Sequence, residues 1–562
     1  MTYVQTEPQV LASAAAGVAS IRSSITEATA AAAHATGDMA AMAADEVSEA
    51  VANLFNAFAR EGQAAMAQAA VFQDQFAHLL AAAGNSYASA EAANLSALAA
   101  PLTGGTSALT DAVAAGPYVT LVMGGSGTPI PPADFVANVV SRYVTPYFPA
   151  GVVKPLFLPA GEYPDSGIKD LTSDVSIARG VDILTTTIQQ QLAAGKTVNV
   201  VGYSQSANIA SLVMQQLNPT GTPSSLPVNF VLLGNSMNPN GGWDARFPGL
   251  TFPSLGFTAL GAAPTNSFPT TSYTIEYDGW ADFPRYPINI LSDLNALFGM
   301  VTVHGGYDSL TAAQLNSAII LPTQGPTTST YYMIPSQNLP LLEPLRYLPV
   351  IGDPMADVLQ PILRPLINWG YGDPNYGWST GPANVPTPFG FLPPPETTIA
   401  LGPALLNGFQ QGMLAGTTHL STIGPPTSPA LPSFSDIVSP LSAGPGTPAL
   451  PSVTDLLREI QSANSQIVGS STMALSTAYS TLLPTADIAA AALISLPSYD
   501  YNLFLDGLIQ MVNGQPIEGL VNAIGNPIAA NMGLLPFLAG LELASVAVAG
   551  DSIVTGTPFT GP

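Results

Sequence analysis

Apolar positions along this chain change their period, and each change marks a new type of element. From residue 8 to about 95 they step by three and four. Leu11, Ala14, Val18, Ile21 and Ile25 form one stripe; Val47, Val51, Leu54 and Phe58, continued by Phe72, Phe76 and Leu79, form another. This spacing predicts an antiparallel pair of long helices that turns near Gly37. Asp45 and Glu46 stand at the start of the second helix, where the helix dipole favours acids. Two helices with phenylalanine seams cannot bury both faces on each other, so either a partner helix pair or the rest of this chain is expected to cover them.

Residues 96–116 mix small residues with turn formers and read as a linker. Beyond them the pattern changes to short continuous apolar runs between Gly and Pro: "YVTLVM" (118–123), "VKPLFL" (153–158), "TVNVV" (197–201), "VNFVLL" (228–233), "SYTIEY" (272–277) and "TYYMI" (330–334). Helical segments, notably 170–193 and 205–217, lie between some of them. Strands of this kind, buried on both faces and separated by helices, predict an α/β domain with a mainly parallel sheet over 117–394. Residues 425–451 are dense in Pro, Ser and Gly and read as a second linker or an extended edge. The stretch 452–562 has helical character and many small residues but no recognisable chemistry. Its greasiest run, "GLLPFLAGLELASVAVAG", is broken by Pro536 and Glu542 and reads as short for a membrane span.

Composition narrows the function classes. Of 562 residues, 47% are hydrophobic and 9% charged, with acids outnumbering bases 36 to 12 and no basic cluster. A net charge of -24 argues against binding a nucleic-acid backbone. Cysteine is absent, which removes disulfides, thiolate metal sites and cysteine nucleophiles. The first ten residues lack a basic n-region and an apolar core, so no cleavable signal peptide is expected. The expectation is a soluble chain able to adhere to lipid.

The chemistry concentrates in "NVVGYSQSANIASLV" (199–213). A serine on a sharp strand-to-helix turn leaves no room for bulk two residues before and two after it. Gly202 and Ser206 meet that demand around Ser204. A nucleophilic serine needs a base. His34 and His78 belong to the helical pair and His419 lies past the α/β segment, which leaves His304 in "TVHGGYDSL". The acid is expected from "SYTIEYDGWADFPRYP", where one of Asp278 and Asp282 orients His304 and the other caps the turn. The Gly-Trp spacer favours Asp282, with Asp278 as the alternative. Asp244 and Asp293 read as surface or helix-start residues. An oxyanion hole needs the backbone N–H of Gln205 and a second donor from "VMGGSGTPIP", where Gly125 and Ser126 are the candidates. That loop lacks the Lys-Ser/Thr ending of a phosphate loop. No His and carboxylate spacing suits a metal, so a cofactor-free acyl mechanism is the economical reading. Trp280, Phe283 and Tyr286 suit either an acyl chain or an ordinary core.

These residues resemble the mycobacterial PE proteins that carry a PE-PPE domain, a cutinase-like serine α/β hydrolase. The helical pair and the opening "MTYVQTEPQ" resemble the PE module, with Pro8-Gln9 where the family has Pro-Glu. "YASAE" matches a Tyr-x-x-x-Asp/Glu secretion signal through Tyr87 and Glu91, and "GYSQSA", "YDGWADFP" and "VHGGY" match the elbow, acid and histidine segments. The resemblance covers about 1–95 and 117–394. It implies Ser204, Asp282 and His304 as the triad, a PPE protein as partner of the helices, type VII export, and a secreted chain at the cell envelope or surface. The expected function is hydrolysis of acyl esters or lipids. Transfer of the acyl group to an envelope glycolipid, or a non-catalytic adaptor role, are the alternatives.

Overall fold

The computed structural model describes residues 117–422 apart from Lys169 and Val350, scattered positions between 458 and 477, residues 481–555, and Asn56. The predicted N-terminal helix pair, with His34, His78, Tyr87 and Glu91, lies outside the described residues, as do the linkers 96–116 and 425–451. The chain divides between Ala112 and Val113 into two units, and the second is described below.

Its first half alternates strands and helices as the apolar runs predict: β1 (Tyr118–Val122), α1 (Ala133–Val139), β2 (Val152–Pro155), α2 (Ser173–Ala193), β3 (Thr197–Tyr203), α3 (Gln205–Leu217) and β4 (Val228–Leu233). A short α4 (Trp243–Arg246) and the two-residue strands β5 (Thr251–Phe252) and β6 (Phe257–Thr258) follow. Next come β7 (Thr270–Ile275), α5 (Ile290–Thr302), β8 (Ile319–Ile320) and β9 (Ser329–Ile334). The strand expected at 272–277 stops at Ile275. Tyr277 adopts a φ of 68°, outside the extended region, and ends the pairing.

The main sheet has the order β2-β1-β3-β4-β7-β9-β8, parallel throughout except that β8 runs antiparallel to β9. Both faces are buried, which is why the strands read as unbroken apolar runs. On one face Val198, Val200, Phe230 and Leu232 pack with Ile177, Leu184 and Ile209 from α2 and α3. On the other, Val122, Val201, Val231 and Leu233 pack with Val139, Val140 and Tyr143. The chain leaves β1 toward β2 on one side and returns to β3 on the other. The carboxyl ends of β1 and β3 therefore flank the crevice where α/β sheets bind ligands.

C-terminal helices complete the unit. α6 (Gly352–Trp369) packs against α7 (Pro395–Thr422). Beyond residue 481, α8 (Leu482–Ala490) continues through a π-helical turn into α9 (Leu496–Val512), and α10 (Pro516–Thr555) doubles back along it. The run 533–550, read from sequence as short for a span, is part of this 40-residue helix, which passes through Pro527 and Pro536. The 482–512 and 516–550 segments are each long and apolar enough to cross a membrane by length and composition.

Candidate active site

Ser204 stands between the last residue of β3 and the first of α3 with φ 57° and ψ -127°, a conformation that costs a non-glycine residue roughly 1–3 kcal/mol. Its surroundings hold it there. The Ser204 amide donates to Leu233 O at 3.0 Å, across to the neighbouring strand. A Cβ on Gly202 would lie 2.6 Å from Ser206 O and 2.8 Å from Ala207 Cα, so the turn closes only over glycine. Ser206 is tolerated two residues past Ser204 because its buried hydroxyl has partners: it lies 3.0 Å from Tyr203 O, to which it donates, and 2.9 Å from Tyr203 N, from which it accepts.

The turn brings Ser204 Oγ to 2.9 Å from His304 Nε2, although 100 residues separate them. His304 opens a 3-10 turn just after α5, and its ring stacks on Tyr203 with centroids 5.4 Å apart and planes 27° apart. The Tyr203 hydroxyl donates to His304 O at 2.9 Å, so the aromatic neighbour of the serine also fixes the histidine backbone.

The partner of His304 Nδ1 is Asp278, with Oδ1 at 2.8 Å and Oδ2 at 2.9 Å. The sequence-based preference for Asp282 in this position is corrected by the geometry. Residues 278–282 curl into a helix-like turn, with the Asp282 amide donating to Asp278 O at 2.6 Å. This turn points the Asp282 carboxylate back at the strand end, where it accepts from the Tyr277 amide at 3.1 Å and braces the left-handed residue. Asp278 is fully buried and receives two further hydrogen bonds, from the Tyr307 hydroxyl at 2.6 Å and the Trp280 amide at 3.1 Å. A carboxylate so held accepts the Nδ1 proton and leaves the Nε2 lone pair facing the serine.

Tyr307 and Gly234 are site residues that the motif reading missed. Tyr307 sits three residues past His304, and its hydroxyl also accepts from the Ile275 amide at 3.1 Å. Gly234 ends β4 with φ 58°, and a Cβ there would lie 2.9 Å from His304 Cε1. A glycine directly after an apolar strand was the available signal.

Opposite the histidine lie the two elements nominated for an oxyanion hole. Gln205 contributes the first amide of α3, which has no acceptor within the helix by position. Its side chain is tied down, with Nε2 donating to Gly161 O at 2.8 Å and Oε1 accepting from Ser176 at 3.0 Å. Gly125 follows β1 so closely that a Cβ on it would stand 3.1 Å from Ser204 Cβ. Within that loop the Gly127 and Thr128 amides are already committed, to Ala160 O and Gly125 O. Ser126 donates its hydroxyl to Glu162.

A cavity of about 180 Å³ opens from Ser204, and its lining includes the apolar Phe257, Leu260, Trp280 and Met300 and the acids Glu162, Asp165 and Asp244. Phe283 and Tyr286 are instead buried side chains that do not line it. Asp244, expected at the surface or a helix start, stands in the first turn of α4 and is 1% exposed; it accepts from Ser236 at 2.9 Å and from Asn208 at 3.2 Å. Asp293 likewise stands at a helix start, in the first turn of α5, and is buried. The His419 side chain lies outside the described residues. Among the described residues no group of three His, Asp or Glu side chains gathers as metal ligands do.

Burial pushes the Glu162 carboxyl up to about 7 from its ordinary 4.5, against the opposing pull of the Ser126 hydrogen bond. Burial pushes Asp244 up to about 7 from 3.8, against its hydrogen bond to Ser236. Both acids stay protonated in the fold at pH values where the unfolded chain has already ionised. Between about pH 4 and 7 folding therefore takes up protons, and the stability these sites lend is full below that window and lost as pH rises through about 7. The melting temperature of wild type is expected to fall across the window relative to a Glu162→Gln, Asp244→Asn double variant. Thermal melts at pH 4.5, 6 and 7.5 read the difference, and a wild type that gains on the variant as pH rises would refute the assignment.

Comparison with known proteins places the chain in a family. The model of the PE family matches residues 4–94, and that of the PE-PPE domain matches 149–372. Among curated proteins of Mycobacterium tuberculosis, the uncharacterised PPE family protein PPE28 is 43% identical over 452 residues, covering 80% of this chain and 68% of its own. That alignment is longer than the two model matches combined. Esterase PE16 is 42% identical over 72% of this chain and 75% of its own length, and PE family protein PE3 is 42% identical over 77% and 92%. A solved cutinase-like protein from Cryptococcus sp. aligns at 19% identity over 30% of this chain and 80% of its own, with a TM-score of 0.21. On the strength of both family models and of relatives matched along most of their length, the chain belongs to the mycobacterial PE proteins that carry a PE-PPE domain.

Proposed function

We propose that this protein is a serine esterase or lipase-like hydrolase that cleaves acyl esters through a covalent acyl-enzyme. The observation that carries the reading is the 2.9 Å approach of His304 Nε2 to a serine held at positive φ on the strand-to-helix turn. The relative named as an esterase, 42% identical along three quarters of its length, supports the same reaction class.

In this reading Ser204 Oγ attacks the ester carbonyl while His304 Nε2 takes its proton, and Asp278 stabilises the resulting imidazolium through Nδ1. The Gln205 amide and a Gly125 or Ser126 donor receive the oxyanion. His304 then returns the proton to the leaving alkoxide. Water, deprotonated by the same imidazole, attacks the acyl carbonyl, and the acid departs as Ser204 regains its proton. An alcohol entering in place of water would give acyl transfer, and product analysis with and without an alcohol acceptor separates the two. The apolar wall of Phe257, Leu260, Trp280 and Met300 suits the acyl side of the ester.

For residues 1–95 we infer the export and pairing module that the PE match supports, with Tyr87 and Glu91 in the secretion signal, a PPE protein as partner, and delivery by type VII export to the cell envelope or surface. Residues 117–394 then form the hydrolase domain.

The test is a fluorophosphonate probe on the purified chain. Wild type is expected to label at Ser204 and the folded Ser204→Ala variant to stay unlabelled. Absence of labelling in folded wild type would remove the enzymatic reading and leave the adaptor role.

A further inference from the structure

The antiparallel helices α8–α9 and α10 have two apolar sides, and only one is used. Inward, Ile488, Leu496, Tyr499, Leu534 and Leu538 share a buried cluster with Trp243 and Phe283. Phe537 packs 5.3 Å from Trp243 and 5.8 Å from Trp280, and Trp280 lines the cavity at Ser204. Two hydrogen bonds fasten the start of the pair: the Tyr163 hydroxyl to the Asp487 carboxylate, and Ser254 to Asp487 O, each 2.7 Å. Outward, Leu493, Ile494, Val512, Ile517 and Leu543 are each 70% exposed or more, and 28% of either apolar window is buried. An apolar surface of this extent on a folded domain calls for an occupant.

We propose that the outer face of this helix pair docks the protein onto an uncharged lipid surface, a phase of neutral acyl esters. Charge selects this occupant. Residues 482–555 contain six acids, Asp487, Asp500, Asp506, Glu518, Glu542 and Asp551, and no Lys, Arg or His. A face without a single cation gains nothing from anionic headgroups and is repelled by them, so an anionic bilayer is the wrong surface. Three of the six acids are already hydrogen-bonded within the fold, to Tyr163, Asn531 and Thr485, leaving a face that is apolar more than acidic. Continuity with the cavity points the same way: the element that meets the lipid on its outside packs, through Phe537, against Trp280, which lines the site. The inward packing on Trp243 and Trp280 keeps the helices lying on the surface rather than crossing it. Docking stands without the esterase reading; only the delivery of ester to Ser204 rests on it.

The probe is a triolein droplet coated with phosphatidylcholine, compared with the same droplet coated with phosphatidylglycerol, using the full chain carrying Ser204→Ala so that catalysis plays no part. It is expected to float with the first and much less with the second. Leu493→Glu, Ile494→Glu and Ile517→Glu together, at exposed positions that leave the inner face intact, should lower partitioning by more than about tenfold with the melting temperature retained. On the Ser204 background the triple variant should keep hydrolysis of a soluble short ester and lose that of emulsified triolein. Failure of wild type to partition, equal partitioning of the variant, preference for the anionic droplet, or a variant that merely converts a dimer to a monomer would each overturn docking. Intact partitioning with no ester cleavage would overturn the esterase reading alone.

Discussion

Ser204→Ala is expected to lower kcat for a soluble p-nitrophenyl ester by about 10⁶-fold, and Asp278→Asn by about 10⁴-fold, in line with the unequal weights of nucleophile and acid in serine hydrolase triads. The asymmetry has a local cause. Without Ser204 no acyl-enzyme forms, whereas without a carboxylate at 278 the imidazole still sits 2.9 Å from the hydroxyl and loses its fixed tautomer. Asparagine at 278 offers an amide to Nδ1, which favours the ring form whose Nε2 carries the proton and cannot accept the serine's. Asp282→Asn provides the contrast. Its oxygen still accepts from the Tyr277 amide and no histidine depends on it, so kcat should stay within about tenfold of wild type. Steady-state kinetics of the three variants, with circular dichroism to confirm folding, decide the matter. A 10⁴-fold loss at Asp282 with little change at Asp278 would reverse the acid assignment.

That assignment marks the limit of what the linear chain discloses. The strand runs, the parallel sheet, the elbow and the histidine were legible because each depends on local pattern: continuous apolar runs, small residues flanking a serine, one histidine in the α/β segment outside the helical regions. Choosing between two aspartates four residues apart depends on how "YDGWAD" curls. Tyr277 enters the left-handed region, the 278–282 turn tightens, and the two carboxylates find different partners, His304 for Asp278 and the Tyr277 amide for Asp282. A spacer argument assumes an open loop, and here the loop is wound. Gly234 escaped for a related reason, because it acts on the histidine from a segment that only the fold brings beside it; Tyr307 lies in the histidine's own segment, and only the fold shows its hydroxyl reaching Asp278. Asp244 was read as a surface or helix-start residue; it does stand in the first turn of α4, and hydrogen bonds to it from Ser236 and Asn208 let the core hold it. The helices beyond residue 481 gave no chemical signal because their contribution is shape and apolarity. Pro536 and Glu542 further disguised part of one long helix as a short broken run.

Gly234→Ala is expected to lower kcat/KM by about 10²-fold without touching a reacting group, because displacing a catalytic side chain by about 1 Å costs roughly that much. Glycine adopts φ 58° at this position at no steric cost, and alanine pays roughly 1 kcal/mol for it. The larger effect is contact. The new methyl would stand 2.9 Å from His304 Cε1 and 3.0 Å from Tyr307 Cε2. Both neighbours are pinned, the histidine by Asp278, the tyrosine by Asp278 and the Ile275 amide, so neither yields without loosening a hydrogen bond on which the imidazole's orientation rests. Gly305→Ala is the matched control. It lies next to His304 in sequence, and a Cβ there meets nothing within 4 Å, so it should leave the rate within about twofold. The loss at Gly234 should fall mainly on kcat, since the contact disturbed is the one that orients His304; Gly234 also lines the cavity at Ser204, so a smaller rise in KM should accompany it. Equal rates for the two alanine variants would mean that His304 does not need the space Gly234 leaves for it, and that the serine and histidine are held together from the Tyr203 side alone.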